Sequence, residues 1–140
     1  MKKLFSVAMI VISMFLLIGS GSANKGVYTD GGPYVISSIS FNKDTNLTVI
    51  ANRNEIANKE EFAKLLIKMC QENSFKSIKF STDTGYATSL NMSVYCWRDD
   101  IGEKDSVMKV EFRPVELNKD YDIVNNSEKF DLYVDGELIR

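Results

Sequence analysis

The chain has 140 residues, 17 basic against 19 acidic, a net charge of −2 and no histidine. Without imidazole, Ser-His-Asp and Cys-His nucleophile systems and His-ligated metal sites are excluded, and any catalysis rests on Asp, Glu, Lys, Tyr or Cys. The mild acidity, with no clustered basic patch, argues against nucleic acid and against adsorption to anionic lipid.

At the N-terminus, Lys2 and Lys3 precede an apolar stretch, Leu4 to Ile18, broken only by Ser6 and Ser13. The small residues Gly19-Ser20-Gly21-Ser22-Ala23 follow. This is the pattern of a bacterial export signal, with cleavage expected after Ala23. Retention as an uncleaved anchor is the second reading, although the stretch falls short of the roughly 20 residues that span a bilayer. No later segment approaches that length. Residues 1–23 are therefore read as a signal peptide, 24–33 as a flexible lead containing Gly26, Gly31, Gly32 and Pro33, and 34–140 as a single domain. The protein is expected outside the cytoplasmic membrane, secreted or held in the cell envelope, with no membrane insertion once the signal is removed.

Tyr34 to Phe41 reads as a strand, with Val35, Ile39 and Phe41 assigned to one side. The polar segment Asn42 to Asn46 reads as a turn, and Leu47 to Ala51 as the returning strand of a hairpin. Asn58 to about Asn73 has helical spacing. Phe62, Leu65, Leu66, Met69 and Cys70 form one apolar stripe, and Asn58 with Glu61 forms a capping-box pattern. Period-two alternation then predicts strands in Phe75–Ser81, Asn91–Arg98, Ser106–Arg113 and Phe130–Val134. Asp135-Gly136 signals a turn into a short last segment. The expected class is α+β: one amphipathic helix, about 58–73, on one face of an antiparallel sheet of about five or six strands.

Cys70 lies on the helix stripe and Cys96 on the apolar side of its strand. An even cysteine count in an exported chain favours a disulfide. A Cys70–Cys96 bond would pin helix to sheet and close a loop of about 26 residues, worth on the order of 3 kcal/mol. Two buried free thiols are the alternative.

The sheet face away from the helix is expected to carry Lys79, Tyr95, Trp97, Lys109 and Arg113, with Glu111 and Tyr133 beside them. Tyr, Trp and Arg on a rigid face are the residue types that anchor interfaces. These five are the candidate binding residues, with a protein or a cell-wall polymer as the partner. The competing reading is that long Lys and Arg stems cover exposed aromatics.

Asp83-Thr84-Gly85 matches the tripeptide of aspartic proteases, but Tyr86 follows where a small residue belongs, so the reading is a turn. Asp99, Asp100, Glu103 and Asp105 read as a solvated hairpin loop rather than a calcium site. The Asn-x-Ser/Thr matches at Asn46, Asn91 and Asn125 are read as empty in a bacterial setting. No cofactor or metal is implied. The expected function is that of a small exported binding protein, including an inhibitor of a hydrolase acting through residues 83–90 and 99–105. The alternatives are a carboxylate-dependent hydrolase and an assembly protein pairing through a sheet edge.

Overall fold

The computed structural model describes residues 31–140; the expected signal peptide and most of the lead lie outside them. The chain opens with an antiparallel hairpin, β1 (Tyr34–Phe41) and β2 (Asp44–Ile50). Its two-residue turn, Asn42-Lys43, holds both residues at positive φ, 50° and 68°. This is the turn geometry that matches strand twist. A β-bulge lies between Val35 and Ser37.

From β2 the chain crosses to helix α1 (Lys59–Glu72), and the loop 73–88 leads it into β3 (Ser89–Tyr95). β3 pairs parallel to β2, with Leu47 beside Met92 and Val49 beside Val94. The strands β4 (Met108–Pro114), β5 (Phe130–Val134) and β6 (Glu137–Ile139) then add in antiparallel order. Among the described residues the result is an α+β fold with one α-helix on a six-stranded sheet of order β1-β2-β3-β4-β5-β6. The sheet is mixed rather than wholly antiparallel, because the helical connection returns the chain in the direction it left.

The helix begins as its sequence dictates. Asn58 has extended backbone, and its Oδ1 accepts from the Glu61 amide at 3.0 Å. It ends on Asn73, which takes the left-handed conformation at φ 55°. The Asn73 and Ser74 amides donate to Cys70 and Met69 carbonyls, closing the last turn. Its buried residues are Phe62, Ala63, Leu66, Ile67 and Cys70. The row Phe62–Leu66–Cys70 was expected. Its flank is Ala63 and Ile67, whereas Leu65 is 41% exposed. Apolar residues border that row on both sides, and packing buries the Ile67 side.

The core joins this helix face to Leu47, Val49, Met92, Val94, Met108, Val110 and Phe112. The segment Phe75–Ser81, expected as a strand, is loop. Phe75 is fully buried and meets Phe80 edge-on at 6.4 Å. Its apolar residues fill the layer beside the helix. Asn73 does for Phe80 what a strand neighbour would do: its side chain accepts from the Phe80 amide at 2.8 Å and donates to the Phe80 carbonyl at 3.1 Å.

Cys70 and Cys96 are both buried and both free, so the expected disulfide is absent. Both thiols do lie on interior faces. Their positions along the layer differ, however. Cys70 sits with Leu90, at the start of β3, whereas Cys96 follows the end of β3 and donates from Sγ to the Asn54 carbonyl at 3.4 Å. Six residues of strand extend roughly 20 Å, far beyond the span of a disulfide. Burial pushes the Cys70 thiol up to about 12. The Cys96 thiol is also raised, by burial first and then by Asp100.

At the end of the sheet where β3 finishes and β4 begins, Asp135 (φ 52°) and Gly136 (φ 85°) form the expected β5–β6 turn. Asp135 also ties three elements together. Its carboxylate accepts from the Lys109 amide at 2.8 Å and from Lys59 Nζ at 3.1 Å. Burial works to raise its pKa, but these hydrogen bonds and the Lys59 charge outweigh it, and the net shift is downward. A carboxylate lowered on folding stabilises the native state above its ordinary pKa, near 4, and that stability fades as pH falls through the lower folded value. Asp135→Asn is therefore expected to lower stability at neutral pH and to flatten its acid dependence below about pH 4. Urea unfolding at neutral and acid pH reads this; equal slopes for both proteins would refute it.

Candidate functional site

Cross-strand register sorts the sheet into two faces. Leu47, Val49, Met92, Val94, Val110 and Val134 share the helix side. The other face carries Asn46, Thr48, Asn91, Ser93 and Tyr95 in its middle strands. Lys109 lies beside Ser93, Glu111 between Asn91 and Tyr133, and Arg113 beside Asp131. The helix α1 and the main core cluster lie on the opposite side of the sheet.

One cluster on it is organised. The Arg113 guanidinium lies 4.2 Å over the Tyr133 ring and 3.0 Å from Glu111 Oε2. Stacking and ion pairing both hold the fork in one orientation, with its remaining donors available to a partner. Tyr95 and Tyr133 are half-buried and Lys109 is exposed. Loop 102–106 and the Asp135-Gly136 turn rim the depression that holds Tyr95, Lys109 and Glu111.

Of the five residues expected to form the surface, Tyr95, Lys109 and Arg113 share the open face. Trp97 stands past the end of β3, half-buried, and its indole Nε1 donates to Asn54 Oδ1 at 3.2 Å. It is a rim residue, not a central anchor. Lys79 is not on the sheet at all. It lies in the loop after α1 and donates to the Asn73 carbonyl at 2.9 Å, because the segment that carries it does not form a strand.

The open face also holds two residues that the alternation of β1 did not place there. Ile39 and Phe41 lie opposite Asn46 and Asp44 and are 66% and 76% exposed. The bulge reverses the alternation within β1: Val35 stays on the core side, and the residues beyond it change faces. At the other end of the same face, Tyr34 and Ile50 pair across β1 and β2 and are buried. The open area therefore runs from the hairpin end to about Thr48, Ser93 and Lys109.

A cavity of about 380 Å³ lies on the helix side, between the hairpin, the end of α1 and loop 73–88. None of its lining residues is Asp or Glu, whereas the depression on the open face is lined by Glu103, Asp105, Glu111 and Asp135, so the paired acids that a carboxylate hydrolase uses have candidates there and not here. Among the described residues, no group of three or more His, Cys, Asp or Glu side chains is placed to hold a metal. Asp122, near the cavity, has its pKa lowered: burial opposes this, but hydrogen bonds from Asn125 and Val124 and the Lys43 charge prevail. Asp83-Thr84-Gly85 forms an exposed turn, with the Gly85 amide on the Thr82 carbonyl at 3.1 Å and Gly85 at φ 102°. No described helix is long and apolar enough to cross a membrane.

Compared with protein-family models, curated proteins and solved structures, the chain matches none.

Proposed function

We propose that this chain is an exported, non-enzymatic binding protein that engages another protein through the open sheet face. The observation that carries the reading is the Arg113–Tyr133–Glu111 cluster on the face opposite α1 and the main core cluster. A guanidinium fixed by two neighbours loses little entropy on binding. The mixed charges of Lys109, Glu111, Arg113 and Asp131 suit a protein surface. A cell-wall polymer fits less well, because Trp97, the best stacking platform for a sugar, sits at the rim with its N–H engaged by Asn54. Export rests on the residue pattern of positions 1–23.

The test is partner capture by the immobilised mature chain, from the envelope and medium of the producing cell. Lys109→Glu combined with Arg113→Gln is expected to abolish capture. The double variant costs no more than about 1 kcal/mol of stability, because both side chains are exposed. A partner retained equally by the double variant would overturn the reading.

Edge assembly is a second reading, favoured by Ile39 and Phe41 on a strand that carries no charged residue from Tyr34 to Phe41. Such an edge is a template for pairing. It predicts a concentration-dependent dimer in sedimentation that Phe41→Lys dissolves; a monomer at all concentrations would reject it.

A further inference from the structure

We infer that the helix-side cavity is a binding site for a small amphipathic anion, a carboxylate head on a short apolar tail. The cavity volume, about 380 Å³, lies at the small end of the range for ligand pockets. It is mainly apolar at depth, where the one buried polar residue, Thr45, shares its hydroxyl with Ser40, and polar at its mouth. Cys70, Leu90 and Ile123 are buried, and Ile78 and Phe80 line it beside them. This part offers no charge and no strong acceptor, so it suits a hydrocarbon tail.

The head-group chemistry follows from the mouth. Lys43 and Lys79 both line it, and no acidic side chain does. Of the acids adjoining it in sequence, Asp122 is engaged by Asn125 and Val124 and Asp44 by the Thr88 and Ser89 hydroxyls, and Asp83, between Thr82 and Thr84, is exposed and does not line the cavity. The hydroxyls of Ser38, Thr82 and Thr84 line the same opening and make no hydrogen bond to a described residue. Two ammonium groups and three uncommitted hydroxyls form a donor set for a carboxylate.

The walls are fixed before any ligand arrives. Asn73 holds the Phe80 backbone at both its N–H and its carbonyl. Gln71 donates to the Ile123 carbonyl at 2.8 Å, and Ser40 and Thr45 share a hydroxyl hydrogen bond at 2.9 Å. Lys43 sits at positive φ in the hairpin turn, so its place at the mouth is set by backbone geometry. The cavity lies across the sheet from the open face, and this inference stands or falls independently of the proposed partner surface.

The test uses octanoate, octylammonium and acetate as probes, followed by amide chemical shifts on the mature chain. Octanoate is expected to give saturable shifts in residues 38–45 and 78–90. Acetate and octylammonium are expected to give none. Lys43→Asn combined with Lys79→Gln removes both charges while Asn keeps the left-handed turn conformation, and affinity should fall about tenfold or more. Ser38→Phe, which fills the mouth from β1, should abolish the shifts while the rest of the spectrum stays folded. The inference is overturned if octanoate does not saturate, if octylammonium shifts the same residues, or if the lysine variants bind as the parent does.

Discussion

Leu66→Ala is expected to destabilise the domain by about 3–4 kcal/mol, whereas Leu65→Ala should cost under about 1 kcal/mol. Leu66 is fully buried in the helix–sheet layer and Leu65 is 41% exposed. The two residues are neighbours of identical type on one helix, so propensity and side-chain chemistry cancel in the comparison. What remains is the cavity left when three heavy atoms, Cγ and both Cδ, disappear from a packed interior. The melting temperature should drop on the order of 10–20 °C for Leu66→Ala. Thermal and urea unfolding read both variants. Equal losses at the two positions would mean that α1 is rotated relative to the sheet, and the core described above would be wrong.

The second large effect is expected at Asn73. Its side chain satisfies both backbone groups of Phe80, and its backbone sits at φ 55°. Asn73→Ala removes both hydrogen bonds and puts an unfavourable residue in the left-handed region. A loss of about 2–3 kcal/mol is expected. Asn73→Gly removes the same hydrogen bonds but accepts the conformation, so its loss should be about 1 kcal/mol smaller. In both variants the Phe80 amide should lose its protection against hydrogen exchange. Equal losses for Ala and Gly would show that the left-handed cap contributes nothing. A protected Phe80 amide in either variant would contradict the role of Asn73 in shaping loop 73–88.

The alternation in β3, β4 and β5 was enough to place Met92, Val94, Val110 and Phe112 in the core and Tyr95, Lys109 and Arg113 outside, because period two maps directly onto the two faces of a sheet. Asp135-Gly136 was equally plain, since the turn needs residues that tolerate positive φ. Three features had no such signal. The bulge after Val35 adds one residue with no distinctive chemistry, yet it sends Ile39 and Phe41 to the opposite face. The spacing of Ile78 and Phe80 is strand-like, but these residues are apolar because they cover the helix end, and Asn73 rather than a neighbouring strand satisfies the backbone of Phe80. Cys70 and Cys96 show which face a residue takes without showing how far along the layer it lies. That distance depended on β3 running parallel to β2, and only pairing in three dimensions decides it. Lys79 left the candidate surface for the same reason as Phe80, and Trp97 moved to its rim because β3 ends two residues earlier.

The claim that this protein works through its open sheet face is tested most directly by photo-crosslinking in the producing cell. A photoreactive side chain is placed either at Asn91, exposed in the middle of that face, or at Lys68, exposed on the outer side of α1. A discrete protein adduct is expected from Asn91, lost when Arg113→Gln is added in the same chain, with no adduct from Lys68. Adducts of equal yield from both positions, or an adduct from Lys68 alone, would contradict it.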